Sequence, residues 1–271
     1  MLQRQETAVS GNAMRQYMDE IIKRKDLIVY LIKSGLKAEH RNSYLGYFWW
    51  LLDPLLGVVV YYFLISFILG RGGENFAVFL VIGLVSWRWT NTVINSSAKS
   101  ILRYASIINQ VYLPKSIFPI TRTFSQLVNF SFGLVIVAVF LVAFGVMPGW
   151  QAVYLPVIII VQLVFLLAIG LFLAYTSVFV RDIENLLTHV TRILFYSSPI
   201  IWEGGRLPEE YQWVVDINPI AHIVNSYRDV LMYQQSPNFL ALSIILGVSA
   251  LLVYAFLFYY SRNEYKIIKA L

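Results

Sequence analysis

Six stretches of this chain stay apolar for close to the roughly 20 residues that a helix needs to cross about 30 Å of hydrocarbon. No water is available there to pair backbone N–H and C=O groups, so each stretch must satisfy its own backbone as an α-helix. The stretches are 44–69, 76–98, 124–146, 153–180, 186–202 and 239–260. The fifth is the most polar, with Thr188, His189, Thr191 and Arg192 in its first half. Composition agrees: 58% of the 271 residues are apolar and 13% charged, against about 45–50% and 25% in soluble domains. Mean hydropathy is +0.65. These values exclude an ordinary soluble domain, a disordered chain and a coiled coil. The predicted class is an all-α integral membrane protein, one domain over 1–271, without internal repeats.

Lys and Arg set the orientation, because cytoplasmic loops hold the excess of both. Arg4, Arg15, Lys23, Arg24, Lys25, Lys33, Lys37 and Arg41 precede the first span. Lys99, Arg103 and Lys115 follow the second, Arg181 the fourth, and Arg262, Lys266 and Lys269 the last. The alternate loops carry Arg71, Arg206 and Arg228. Both termini are therefore expected in the cytoplasm. The net charge of +6 reads as this cytoplasmic face and not as a nucleic-acid surface. The start lacks the apolar core and cleavage site of a secretory signal.

Residues 26–41 are expected to form an amphipathic helix in the headgroup layer. Ile28, Leu31, Ile32, Gly35 and Leu36 share one face, and Lys33, Lys37 and Arg41 the opposite one. The basic face suits phosphates or a cytosolic partner, and the whole segment suits a simple anchor equally well. Between spans five and six, Leu207-Pro208-Glu209-Glu210 and Asn218-Pro219 resemble helix starts with Pro in the first turn. Ile220, Ile223, Val224, Tyr227 and Leu231 then recur at helical spacing. This predicts two short external re-entrant helices.

Catalytic patterns are missing. There is no Cys, no nucleophile elbow or zinc-protease motif, and His40, His189 and His222 lie far apart. No metal site is expected, since Asp182-Ile183-Glu184 reads better as a helix-start acidic pair. With no Gly-rich phosphate loop, any ATP must be bound by another polypeptide. A polar stripe is present instead: Arg88, Asn91, Thr92, Asn95 and Lys99 follow one face of span two. A mid-membrane Arg costs at least about 2.5 kcal/mol, so it must face a bundle interior or a wet cavity. It contacts substrate there, or pairs with Asp53 beside Pro54 in span one. Trp49, Trp50 and Tyr61 crowd span one and either line a passage or pack.

Several segments together resemble the membrane subunits of ABC transporters that export polysaccharides. They are Arg41 through Leu56 (RNSYLGYFWWLLDPLL), Leu113-Pro114-Lys115 with Pro119 and Asn129, and Val180-Arg181-Asp182-Ile183. Ser198-Pro199-Ile200-Ile201-Trp202, Leu207-Pro208, Asn218-Pro219 and Tyr227-Arg228 follow in family order. Asp53 stands where many relatives carry Asn. The run from Thr191 to Trp202 looks most like exporters of wall teichoic acid; O-antigen and capsule exporters are close alternatives.

The resemblance implies a homodimer and two copies of a cytosolic ABC ATPase that carries ATP and Mg. It also implies a polymer substrate on a polyprenyl-pyrophosphate lipid, in a bacterial plasma membrane. The expected substrate path is Arg88, Asn91, Asn95, Asp53, Trp49, Trp50 and Tyr61. Lys33, Lys37 and Arg41 would meet the lipid pyrophosphate. Ile101, Arg103, Tyr104 and Ile108 on a coupling helix at 100–108, with Arg181, Asp182 and Glu184, would contact the ATPase. The runner-up is an ATP-independent secondary transporter or channel, favoured by the charges within spans and opposed by the absence of repeated halves. An intramembrane lipid-processing enzyme lacks the catalytic groups it would need.

Overall fold

Each apolar stretch folds as a helix, and the polar segments between them set where the helices start. The computed structural model describes residues 14–40, 44–70, 72–108, 112–180 and 182–271. Helix α1 spans 14–23; α2 is Lys25–His40 and α3 is Trp49–Tyr62, which runs on as a π-helical turn, Phe63–Ile68. Then come α4 (Phe76–Ala98), the short α5 (Ser100–Arg103) and α6 (Ala105–Ile108), α7 (Ile117–Ala143) and α8 (Leu155–Phe179). The chain ends with α9 (Ile183–Ser197), α10 (Trp213–Ile217), α11 (Pro219–Leu231) and α12 (Phe239–Ala270). No strand occurs among the described residues.

Among the described residues, five helical stretches are long and apolar enough to cross a membrane: Trp49–Ile68, Phe76–Ala98, Ile117–Ala143, Trp150–Phe179 and Phe239–Ala270. The expected fifth span departs from this pattern. Helix α9 has 15 residues, a rise of about 22 Å at 1.5 Å per residue, so it is too short to cross 30 Å alone. It starts beside the end of α4, where Glu184 meets Lys99 at 3.0 Å. It stops at the level of Gly83, where the Ile200 carbonyl lies 2.6 Å from the position a Cβ would take. From the far end α11 packs on α4 and α8, and the short α10 packs on α11. Span three begins seven residues earlier than expected, because the buried Ile117, Phe118 and Pro119 already form its first turn. Helix α3 continues through Pro54, which supplies no backbone N–H to it.

Helix α4 is the central post, buried over most of its length. It packs on α3, α7, α8, α9 and α11. Helices α8 and α12 run side by side in one direction: Tyr154 meets Phe239 at one end, and Tyr175 meets Tyr259 and Tyr260 at the other. That second end also holds α1, since Tyr17 Oη donates to Glu264 Oε1 at 2.8 Å. Both described ends of the chain thus lie at one pole, the basic end; α10 and α11 lie at the far end.

Helix α11 forms as its sequence directs. Asn218 Oδ1 accepts from the N–H of Ile220 (2.9 Å) and Ala221 (3.4 Å), and Pro219 occupies the first turn. The Asn218 amide also donates to Ser198 Oγ at 2.8 Å, tying α11 to the end of α9. Its apolar stripe, Ile220, Ile223, Val224, Tyr227 and Leu231, is buried as expected.

Candidate functional site

The unburied face of α4 is its polar one. Arg88, Asn91, Thr92, Asn95 and Ser96 are half-buried, while nearly every other α4 residue is buried. The stripe is internally tied: Thr92 Oγ1 donates to the Arg88 carbonyl at 2.7 Å, and the Asn95 amide donates to Asn91 Oδ1 at 3.0 Å.

Arg88 reaches across to α3, where its Nη2 donates to Asp53 Oδ2 at 2.6 Å. The two side chains remain 40% and 41% exposed, so this pair is not sealed in oil. It stands between two cavities. One, of about 390 Å³, lies between α3, α4 and α9 and is lined by Tyr61, Asn91, Thr188, Thr191, Arg192 and Phe195, among others. The other, of about 130 Å³, lies against α7 and includes Trp50, Thr92, Gln126 and Asn129. Both include Asp53, Pro54 and Arg88. Salt-bridged on one side and open on the other, the guanidinium can offer its remaining N–H donors to hydroxyls or anions entering the larger cavity.

The predicted path residues therefore divide. Arg88, Asp53, Asn91 and Tyr61 line the larger cavity, and Tyr61 also packs on Phe195, centroids 5.5 Å apart. Trp50 is buried against Phe132 at 4.6 Å and lines only the smaller cavity of the two. Asn95 continues the stripe one turn toward the basic end. Trp49 is half-buried and lines neither cavity. Thr188, Thr191 and Arg192, which read as blemishes in an apolar span, are the cavity's opposite wall. Their i, i+3, i+4 spacing was the available signal.

Helix α2 forms with Lys33 and Lys37 exposed, and its apolar face leans on α7. The two lysines border a separate groove of about 660 Å³ that includes Leu36, Phe48, Leu51 and Phe132. Trp50 stands between that groove and the smaller cavity. Arg41 and Arg181 lie outside the described residues.

The expected coupling face is inverted. Ile101 and Ile108 are buried, and Tyr104 stacks on Phe118 at 4.9 Å. The apolar stripe seats the segment on the bundle, because three apolar side chains gain more by joining the core of Ile117 and Phe118 than by facing water. Two short helices replace the single one expected. Arg103 is exposed and remains available to a partner. Exposed Asp182 and Lys99-paired Glu184 sit beside the same connection.

Arg228, which read as one basic residue of an external loop, is 1% exposed. Its Nη1 donates to the Pro199 carbonyl at 2.5 Å and its Nη2 to the Ile200 carbonyl at 2.7 Å. The guanidinium also lies 3.4 Å from the Phe79 ring centre. It therefore closes the turn after α9, whose Pro199 and Ile200 carbonyls have no backbone donor among the described residues. Its i+4 position from Val224, inside the apolar stripe, was the clue.

The fold and cleft define a multi-pass membrane protein that keeps one charged, cavity-lined face along its central helix. More specifically, the chain belongs to the ABC-2 type transporter family, whose sequence pattern matches residues 26–232; this family forms the membrane subunits of ABC transporters. It is similar to the O-antigen export system permease protein RfbA of Klebsiella pneumoniae, 28% identical over 242 residues, 89% of this chain and 93% of the relative. The RfbA permease of Myxococcus xanthus is 27% identical over 244 residues, 89% and 94% of the two chains. These relatives favour the O-antigen alternative over the teichoic-acid reading.

Proposed function

We propose that this protein is the membrane subunit of an ATP-driven exporter that carries a polysaccharide of the O-antigen type outward across the bacterial plasma membrane. The polymer travels on a polyprenyl-pyrophosphate lipid. The observation that carries this reading is the half-exposed stripe of Arg88, Asn91 and Asn95 on an otherwise buried helix. Lipid contact along that face would leave a guanidinium and two amides in hydrocarbon, a cost of several kcal/mol. A second copy of the chain covers the stripe and leaves a hydrated passage between protomers.

In this reading the basic end is cytoplasmic. Lys33 and Lys37 attract the lipid pyrophosphate, and a separate ATPase, two copies per dimer, supplies ATP and Mg. It docks near Arg103, Asp182 and Glu184, and the Lys99–Glu184 bridge at 3.0 Å passes its movement to α9, one wall of the cavity. Relatives named as O-antigen export permeases support the glycan over a polyol-phosphate polymer.

Reconstitution with the ATPase in proteoliposomes tests the proposal. ATP-dependent translocation of a lipid-linked glycan is expected, and Arg88→Ala should reduce it at least about tenfold, the effect of losing one charge-assisted contact. Proton-driven flux by the chain alone, with no ATPase co-purifying in mild detergent, would overturn it. Because the Arg88–Asp53 pair is about 40% exposed, a double-mutant cycle on thermal stability should give a coupling below about 1 kcal/mol. A large coupling with unchanged export would make the pair structural.

A further inference from the structure

Helix α11 has a second face. His222, Asn225, Ser226 and Asp229, at spacings of three, four and seven residues, line a cavity of about 640 Å³ at the far end together with Tyr233, just beyond the end of the helix. Glu203, Gln212, Gln235 and Asn238 complete the wall. The volume falls in the range of small-molecule sites. The apolar face accounts for the seating of α11, but core packing does not require its polar face to enclose a void.

The polar groups differ in how far they are already committed. The His222 ring is held at 2.8 Å by the Asp216 carbonyl, and Asn238 Oδ1 caps α12 through the Ala241 N–H. Arg228 is the only ammonium or guanidinium among the described lining residues, and its Nη atoms serve the carbonyls of Pro199, Ile200 and Phe79 and the side-chain oxygen of Asn225 at 3.4 Å. Its buried Nε has no partner among the described residues. The rest of the lining holds the carboxylates of Asp229 and Glu203, the Asn225 amide, whose oxygen accepts from Arg228 while its N–H groups remain donors, the Gln235 amide and the exposed ring of Tyr233.

We propose that this cavity binds neutral sugar residues of the glycan at the outer mouth and rejects polyol-phosphate chains. The inference rests on the exporter reading and narrows its substrate. Hydroxyl groups need acceptors and two-way amides, and the wall supplies both. A ring face covers the apolar side of a sugar. A phosphodiester would instead lose water against a wall with two carboxylates and one buried guanidinium, a lining of net negative charge whose cation has its Nη donors already engaged.

The test uses the full-length protein in detergent, without ATPase, and saturation-transfer NMR with two probes, mannotetraose and ribitol 5-phosphate. Transfer to mannotetraose at millimolar concentration is expected, with little to ribitol 5-phosphate. Asn225→Leu and Tyr233→Ala should each weaken the first roughly tenfold, the effect of one lost hydrogen bond or ring contact. Absence of transfer to mannotetraose, ribitol 5-phosphate binding as well or better, or both variants binding like the parent would each overturn the proposal. If a variant fails to fold, the two-probe comparison on the parent protein decides. Binding is read without transport, so a failed export assay would overturn the exporter reading and leave this result standing.

Discussion

Two neighbouring residues on α11 face opposite electrostatic problems. Arg228 is buried but well supplied with acceptors, because the carbonyls of Pro199 and Ile200 in the turn after α9 have no backbone donors among the described residues. Arg228→Met should destabilise the protein by more than about 3 kcal/mol, as two charge-assisted bonds vanish and two buried carbonyls lose their donor. Arg228→Lys should recover little of this, since an ammonium lacks the planar fork that reaches both carbonyls. Thermal unfolding in detergent measures both. Asp229 is half-buried, and burial pushes its carboxyl up to about 6 from 3.8, with Arg228 pulling it back. A raised carboxyl means the folded state holds its proton longer, so the contribution to stability is full below about pH 4 and is lost as pH rises through about 6. Asp229→Asn should therefore melt higher than the parent at about pH 7.5, and the gap should close toward about pH 4. An unchanged gap across that range would mean that Asp229 titrates normally.

At the scale of elements, close approach decides which residues are tolerated. The Ile200 carbonyl crosses α4 at Gly83, 2.6 Å from where a Cβ would sit, and backbone cannot swing aside as a flexible side chain can. Gly83→Ala should cost about 1–3 kcal/mol by pushing the α9–α10 connection outward. The α5–α6 connection is held in a comparable way: Ile101 is fully buried in a cluster with Ile117 and Phe118. Ile101→Ala should cost about 2–5 kcal/mol. If this segment transmits force from an ATPase, export should fall further than the lost stability accounts for. Comparing export per folded molecule with the melting shift separates the two effects.

Across the whole molecule, one polar node binds three distant segments at the basic end. Glu264 on α12 accepts from Tyr17 Oη on α1 at 2.8 Å and from the Lys115 backbone N–H at 2.7 Å. It also faces the Lys115 ammonium at 3.9 Å, and Lys115 is fully buried. Burial draws that ammonium below the ordinary lysine value, and Glu264 opposes the shift. Glu264→Leu should cost about 3–5 kcal/mol, because it strands a buried charge. Adding Lys115→Met should return a large part, since an apolar pair of similar volume suits the site. Non-additive melting temperatures would confirm the node as one unit.

Much of this architecture was legible in the residues. Apolar length fixed where most helices lie, since a backbone in hydrocarbon has no alternative to helix. The Asn218-Pro219 pair and the stripe after it fixed α11, because a side-chain cap and an apolar face are local properties. Arg88 and Asp53 were readable as partners because a charge at mid-depth demands one. The sequence by itself did not say that Ile101 and Ile108 turn inward, or that Arg228 is buried. Nor did it say that α9 stops short and lets α11 descend to meet it. Periodicity shows that a helix has an apolar side; which neighbour that side meets depends on how distant helices pack, and packing is decided only when the whole bundle closes.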